Sequence, residues 1–215
     1  MSGARALPLL AAAVACIAAA PAPAPGRVEV RPAAKVFPYL DFYYRLDPAK
    51  RTRFAMAYRL RTQDRAPVRA AFTGAVEGSL PLGPEGWFER LPTAAELARH
   101  PSVRIEGPAG ARFELSIVPE ARVAPAPEMD PGEVSAAADQ LNAALNAAGP
   151  LSLVLPKFKR VVFLGAQGAT LVEADGRARP LEARHGAPGA TVVELAHARG
   201  LRFASPPVRV LLLPG

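Results

Sequence analysis

The hydrophobic period changes along the chain, and the changes mark the elements. Phe37, Leu40, Tyr43 and Tyr44 recur at helical spacing and predict a short helix over residues 38–46. Between residues 53 and 61 the period becomes two. Phe54, Met56, Tyr58 and Leu60 face one way and Arg53, Ala55, Ala57, Arg59 and Arg61 the other, as on a half-buried strand. Val68, Ala70 and Phe72 resume the alternation after a polar turn and predict a hairpin with that strand. Further strands are expected near residues 103–106, 112–117, 151–155, 158–164, 200–204 and 208–213. One long helix is expected after Asp130, an N-cap followed by Pro131 in the first turn and Glu133 closing a capping box. Its apolar stripe runs through Val134, Ala137, Ala138, Leu141, Leu145 and Ala148, and Gly149-Pro150 stops it.

The two halves resemble each other. At an offset of 91, Arg69, Phe72, Gly74, Ala75 and Leu80 match Arg160, Phe163, Gly165, Ala166 and Leu171, with Ser79 over Thr170. One residue is then lost, so that Glu85-Gly86 meets Asp175-Gly176 and Leu91 meets Leu181. Eight are gained, and Glu96-Leu97-Ala98 meets Glu194-Leu195-Ala196, followed by Arg104, Pro108 and Leu115 over Arg202, Pro206 and Leu213. Asp175-Gly176 between strand-like runs predicts a type I′ hairpin turn. The expected fold is therefore mainly β (α+β): two degenerate β-rich repeats packed as a sandwich or barrel-like unit, with a short N-terminal helix and one linking helix.

Composition narrows the class. The chain has 215 residues, half of them hydrophobic, but 45 of these are Ala, and it holds 24 Pro. That balance excludes a long coiled coil, a collagen, a polytopic membrane protein and a chain disordered throughout. A single Cys excludes a disulfide framework and a cysteine-based metal site. Arg5 followed by an uncharged run over residues 6–20 predicts a signal peptide at 1–20. Alternatively Ala13-Val14-Ala15-Cys16 acts as a lipobox, with the signal ending before Cys16 and lipid attached there. Residues 21–34 read as an Ala/Pro tether without fixed structure. Residues 35–120 would hold the N-terminal helix and first β repeat, 121–150 a linker and helix, and 151–215 the second β repeat. The expected location is periplasmic or secreted, with membrane attachment only through Cys16.

Catalytic chemistry is sparse. His100, His185 and His197 have no metal-ligand spacing, and neither a metal nor a cofactor is expected. Ser79 lacks the nucleophile-elbow context, and residues 165–170 lack the lysine of a phosphate-binding loop. Glu96 and Glu194 read as helix-capping residues, and no catalytic residue is nominated. Charge is more informative. Arg45, Lys50, Arg51, Arg53, Arg59, Arg61, Arg65 and Arg69, less Asp47 and Asp64, give +6 of the net +7. Arg53, Arg59 and Arg61 would line one face, with Arg51 and Tyr58 beside them, as a surface for an anionic envelope component or a glycan. The plainer alternative is a solvated strand whose charges deter edge pairing. Half of the fourteen aromatics lie between Phe37 and Tyr58, either as a stacking surface or as core. No specific nucleic-acid partner is predicted.

Residues Lys35-Val36-Phe37-Pro38-Tyr39-Leu40, Phe42-Tyr43, Leu46-Asp47-Pro48-Ala49 and Arg51-Thr52-Arg53-Phe54 resemble a family of uncharacterised exported proteins of proteobacteria. Asp175-Gly176 followed by Pro180-Leu181 is similar to later turns of that family. The resemblance implies an exported, mostly β protein and carries no activity or site residues. The leading expectation is a non-catalytic envelope binding or scaffold module, whose partner could also be another envelope protein. The rival is a periplasmic hydrolase with a site at the repeat interface.

Overall fold

The nine-residue alternation beginning at Phe54 builds the longest strand pairing among the described residues. Strand β2 (Phe54–Thr62) runs antiparallel to β6 (Phe113–Ala121), from Phe54 opposite Ala121 to Thr62 opposite Phe113. The computed structural model describes residues 26–147, 156–184 and 186–215. The expected signal segment, Cys16, His185 and the expected strand at 151–155 lie outside the described residues.

The fold is mainly β: the described residues form three antiparallel sheets and no closed barrel. The first has the order β1 (Arg27–Pro32), β5 (Ser102–Gly107), β3 (Arg69–Thr73), β4 (Gly78–Ser79). The second has the order β10 (Ala178–Pro180), β9 (Thr170–Glu173), β13 (Ala198–Arg202), β7 (Glu128–Met129). The third and largest is β11 (Ala183–Arg184), β12 (Ala187–Thr191), β8 (Phe158–Leu164), β14 (Arg209–Pro214), β6, β2. One cluster of buried apolar side chains, with Phe72, Ile105, Leu171, Leu201, Phe163 and Leu212 among its members, joins all three.

Two local expectations are overturned. β3 does not form a hairpin with β2. It pairs with β5 and β4, while β2 pairs with β6, so the chain changes sheets between Thr62 and Arg69. Alternation reports which face of a strand is buried and is silent about its neighbour; both strands bury Phe-bearing faces in the one core from different sheets. The tether is also shorter than residues 21–34. Arg27–Pro32 pairs along its whole length with β5, from Arg27 opposite Gly107 to Pro32 opposite Ser102, and helix α1 (Ala33–Val36) follows it. Val28 and Val30 stay about half exposed, so backbone pairing rather than burial of an apolar face holds this edge.

The strand pairing repeats between the halves, in a register that differs from the sequence match. β2–β6 and β8–β14 pair in the large sheet, and each half adds its own outer sheet: β1-β5-β3-β4 and β7-β13-β9-β10. Backbone bonds fix the equivalences. Leu80 N donates to Ala70 O at 3.0 Å and Leu181 N to Ala169 O at 2.9 Å. Glu89 N donates to Pro81 O at 2.9 Å and Gly189 N to Glu182 O at 3.0 Å. These set β3 over β9 and Leu80 over Leu181, whereas the offset of 91 had placed β3 over β8. The matches from Glu96-Leu97-Ala98 to Arg104 keep their positions. In an Arg- and Gly-rich chain, side-chain identities slip by several residues, while ladder hydrogen bonds cannot.

Asp175-Gly176 makes a different turn from the expected type I′. Only Gly176 has positive φ (+86°), Gly176 N donates to Glu173 O and Glu173 N to Arg177 O, as in a type I turn closed by a glycine bulge. Gly83 to Trp87 repeats the pattern: Gly86 has φ +80°, Gly86 N donates to Gly83 O and Gly83 N to Trp87 O. This second turn lies along the free edge of β2, where Leu60 N donates to Gly86 O (2.8 Å) and Phe88 N to Tyr58 O (3.0 Å). It shields that edge as β12 shields β8.

The helices match their signals in part. The expected helix at 38–46 is shortened to α2 (Leu40–Arg45), because Pro38 and a left-handed Tyr39 (φ 66°) interrupt the run from α1. A 3₁₀ turn, Pro48–Arg51, follows, capped by Asp47, whose Oδ1 accepts from Ala49 N at 2.9 Å. The long helix α4 (Pro131–Asn146) starts at Asp130, whose Oδ1 accepts from Gly132 N at 2.7 Å. The reciprocal capping boxes lie elsewhere, on the short helices α3 (Ala94–Ala98) and α5 (Val192–Ala196). α4 lies across β2, β6 and β8 of the large sheet, and Val134, Ala137, Ala138 and Leu141 on it are buried.

Candidate functional site

Between α2, α4 and the core face of the large sheet lies a partly enclosed apolar cavity of about 230 Å³. Tyr39, Phe42, Tyr43 and Leu46 line it from the α2 side, Leu141, Ala144 and Leu145 from α4, and Phe54, Met56, Ile117, Pro119 and Phe158 from the sheet. Strands β2 and β6 come from one half of the repeat and β8 from the other, so the cavity sits where the two halves meet.

The aromatic segment from Phe37 to Tyr58 divides between core and cavity wall. Phe37 and Tyr58 are buried edge-to-face at 5.2 Å, and Tyr58 Oη donates to Pro38 O at 2.6 Å. Burial drives the Tyr58 phenol pKa far above its ordinary value. Tyr58 therefore has no accessible ring face for a ligand. Tyr43 lines the cavity with its hydroxyl tied off: it donates to Phe54 O at 3.2 Å and accepts from Arg122 Nη2 at 3.1 Å.

The basic residues also divide. Arg59 and Arg61 share the outer face of the large sheet, and both are neutralised there. Arg59 pairs with Glu85 at 2.7 Å and Arg61 with Glu114 at 3.0 Å. Beside them Trp87 is 6% exposed, with the Arg59 guanidinium 5.5 Å and the Arg209 guanidinium 4.9 Å from its ring. Arg209 itself pairs with Glu120 at 2.5 Å. That face is a packed mosaic of paired charges. Arg51 and Arg53 lie apart from it. Arg51 stacks 5.0 Å from the Tyr43 ring, and Arg53 has no carboxylate partner among the described residues.

The titratable residues considered for a site at the repeat interface are occupied by local structure instead. Thr93 and Glu96, and Thr191 and Glu194, cap α3 and α5 reciprocally. Glu96 also pairs with Arg90, and Glu194 with Arg179 at 2.5 Å. The Thr93 backbone N–H holds the Glu96 carboxyl below its ordinary range, against a smaller upward push from burial, and Arg90 adds to the lowering. For Glu194 burial pushes up, but bonds from Thr191 and Arg179 outweigh it, and the net shift is again downward. The Thr-x-x-Glu spacing at both places is the signal that identifies these caps in the sequence. His100 and His197 are exposed at the ends of α3 and α5 and line separate surface hollows. No group of His, Cys, Asp or Glu able to hold a metal occurs among the described residues.

Because both carboxylates have folded pKa values below their unfolded values, their stabilisation is present above about pH 4.3, the unfolded glutamate value, and is lost as pH falls through the folded values. The double variant Glu96→Gln/Glu194→Gln is expected to be less stable than wild type at pH 7 by about 1 kcal/mol, with the gap closing below pH 4. Urea midpoints at pH 7 and 3.5 check this. A gap that widened at low pH would contradict the assigned shifts.

Compared with protein-family models, curated proteins and solved structures, the chain matches none of them.

Proposed function

We propose that this is an exported cell-envelope protein that acts as a non-catalytic binding module, taking an apolar group into the cavity between α2 and α4. The cavity carries the proposal: its twelve lining residues include no acid, base or histidine, and the hydroxyls of Tyr39 and Tyr43 are the only polar side-chain groups among them. A site lined this way offers burial of hydrocarbon and no group poised for proton transfer. That weighs against the hydrolase alternative, whose candidates Glu96, His100 and His197 do not line it.

The experiment is a titration of the purified protein with the apolar dye N-phenyl-1-naphthylamine, followed by its fluorescence. Saturable binding is expected at one site, and Ala144→Phe, which fills the cavity from α4, is expected to weaken it at least tenfold. Leu145→Trp, at a half-buried lining position, serves if Ala144→Phe misfolds. Binding that survives both substitutions in folded protein would place the dye elsewhere and remove the basis of the proposal. For the compartment, the mass of the protein recovered from envelope fractions decides between cleavage near residue 20 and lipidation at Cys16; a full-length cytoplasmic mass would refute export.

A further inference from the structure

We infer that the group taken into the cavity is the alkyl chain of a single-chain anionic amphiphile, an alkyl carboxylate of medium length, with its headgroup against the cations of residues 50–53; this rests on the binding reading above. Size selects one short chain. A dry cavity of about 150 Å³ admits benzene, and on that scale 230 Å³ admits roughly eight carbons of one chain and no second chain.

Charge selects the headgroup. The 3₁₀ turn Pro48–Arg51 bridges the two helices that wall the cavity. Gln140, next to Leu141 on α4, donates through Nε2 to Ala49 O (3.2 Å) and Thr52 Oγ1 (3.0 Å), and its Oε1 accepts from Arg53 N (2.8 Å). On the α2 side, Arg51 Nε donates to the backbone O of the lining residue Leu46 (3.3 Å), and its guanidinium lies 5.0 Å from the ring of the lining residue Tyr43. The nearby acids are already engaged: Asp47 caps the turn and Asp41 pairs with Arg45 at 3.0 Å. Lys50, Arg51 and Arg53 are left without a carboxylate among the described residues. An apolar cavity whose walls are joined by a turn with unmatched cations is complementary to an apolar tail ending in an anion.

Calorimetric titration of the purified protein with sodium alkanoates and with 1-octanol at pH 7 tests the inference. Affinity is expected to rise about fourfold per added methylene and to level off near eight carbons, where the cavity is full. At low salt octanoate is expected to bind several-fold more tightly than octanol, and the difference should fade at about 0.5 M salt, because the cations are exposed and screened. Lys50→Gln/Arg53→Gln, at two exposed positions, should remove most of the octanoate preference over octanol and leave octanol unchanged.

Equal binding of octanoate and octanol by the wild type would overturn the anionic headgroup while leaving the binding module standing. Binding of neither would take the module reading down as well. Affinity that keeps rising well past eight carbons would overturn the single short chain. Octanoate binding that emerges only after Leu151, Leu153 and Leu155 are replaced by Ser would overturn the inference too, since the chain's own apolar residues would then be the occupant.

Discussion

Gly86→Ala is expected to destabilise the protein by about 3 kcal/mol or more, while Gly176→Ala should cost about 1 kcal/mol. The two glycines close turns of the same hydrogen-bond pattern at nearly the same φ, +80° and +86°, so the penalty for forcing an L-residue into that region is common to both. What differs is the surroundings. A Cβ on Gly86 would stand 2.3 Å from Leu60 O, a backbone atom of β2 that cannot swing aside, whereas a Cβ on Gly176 meets nothing within 4 Å. Relief would require the 83–87 turn to lift from β2, breaking the bonds from Leu60 N to Gly86 O and from Phe88 N to Tyr58 O, and moving Trp87 from between its two arginines. Equilibrium unfolding in guanidinium chloride compares the variants. Equal losses would show that the turn does not press on the sheet edge in solution.

Phe163→Ala should cost about 4 kcal/mol and lower Tm by about 10 °C, within a single cooperative transition. Phe163 is fully buried on β8, with the Phe203 ring 5.2 Å away, and it belongs to the cluster that joins all three sheets. Removing the ring leaves a hole in that shared cluster, where backbone pairing limits collapse. If the two halves had separate cores, the variant would instead split the melt, the half containing β2 and β3 unfolding at the wild-type temperature. Calorimetry distinguishes the two outcomes.

Much of the secondary structure was legible in particular residues. The alternation from Phe54 to Leu60 specified a strand with its buried face, and Asp130-Pro131 specified where α4 begins. Arg27–Pro32 reads as tether although Val28 and Val30 alternate with charges, because the strand lies in an Ala/Pro-rich segment and leaves both valines exposed. The site was less legible. Of Arg53, Arg59 and Arg61, expected on one face, Arg53 lies apart, and the partners of the other two, Glu85 and Glu114, lie 26 and 53 residues away in sequence. Tyr58 and Tyr39 look alike in sequence, yet one ends in the core and the other on the wall of a cavity.

Periodicity, the start of α4 at Asp130 and the concentration of charge follow from residues a few positions apart and need no distant contact. Tertiary structure alone decided which strand pairs with which, how the halves correspond, and which cations keep an unmatched charge. Those outcomes depend on contacts between residues far apart in the chain. The same holds for the cavity. Ala144 becomes part of a cavity wall only because α4 is laid over β2, β6 and β8.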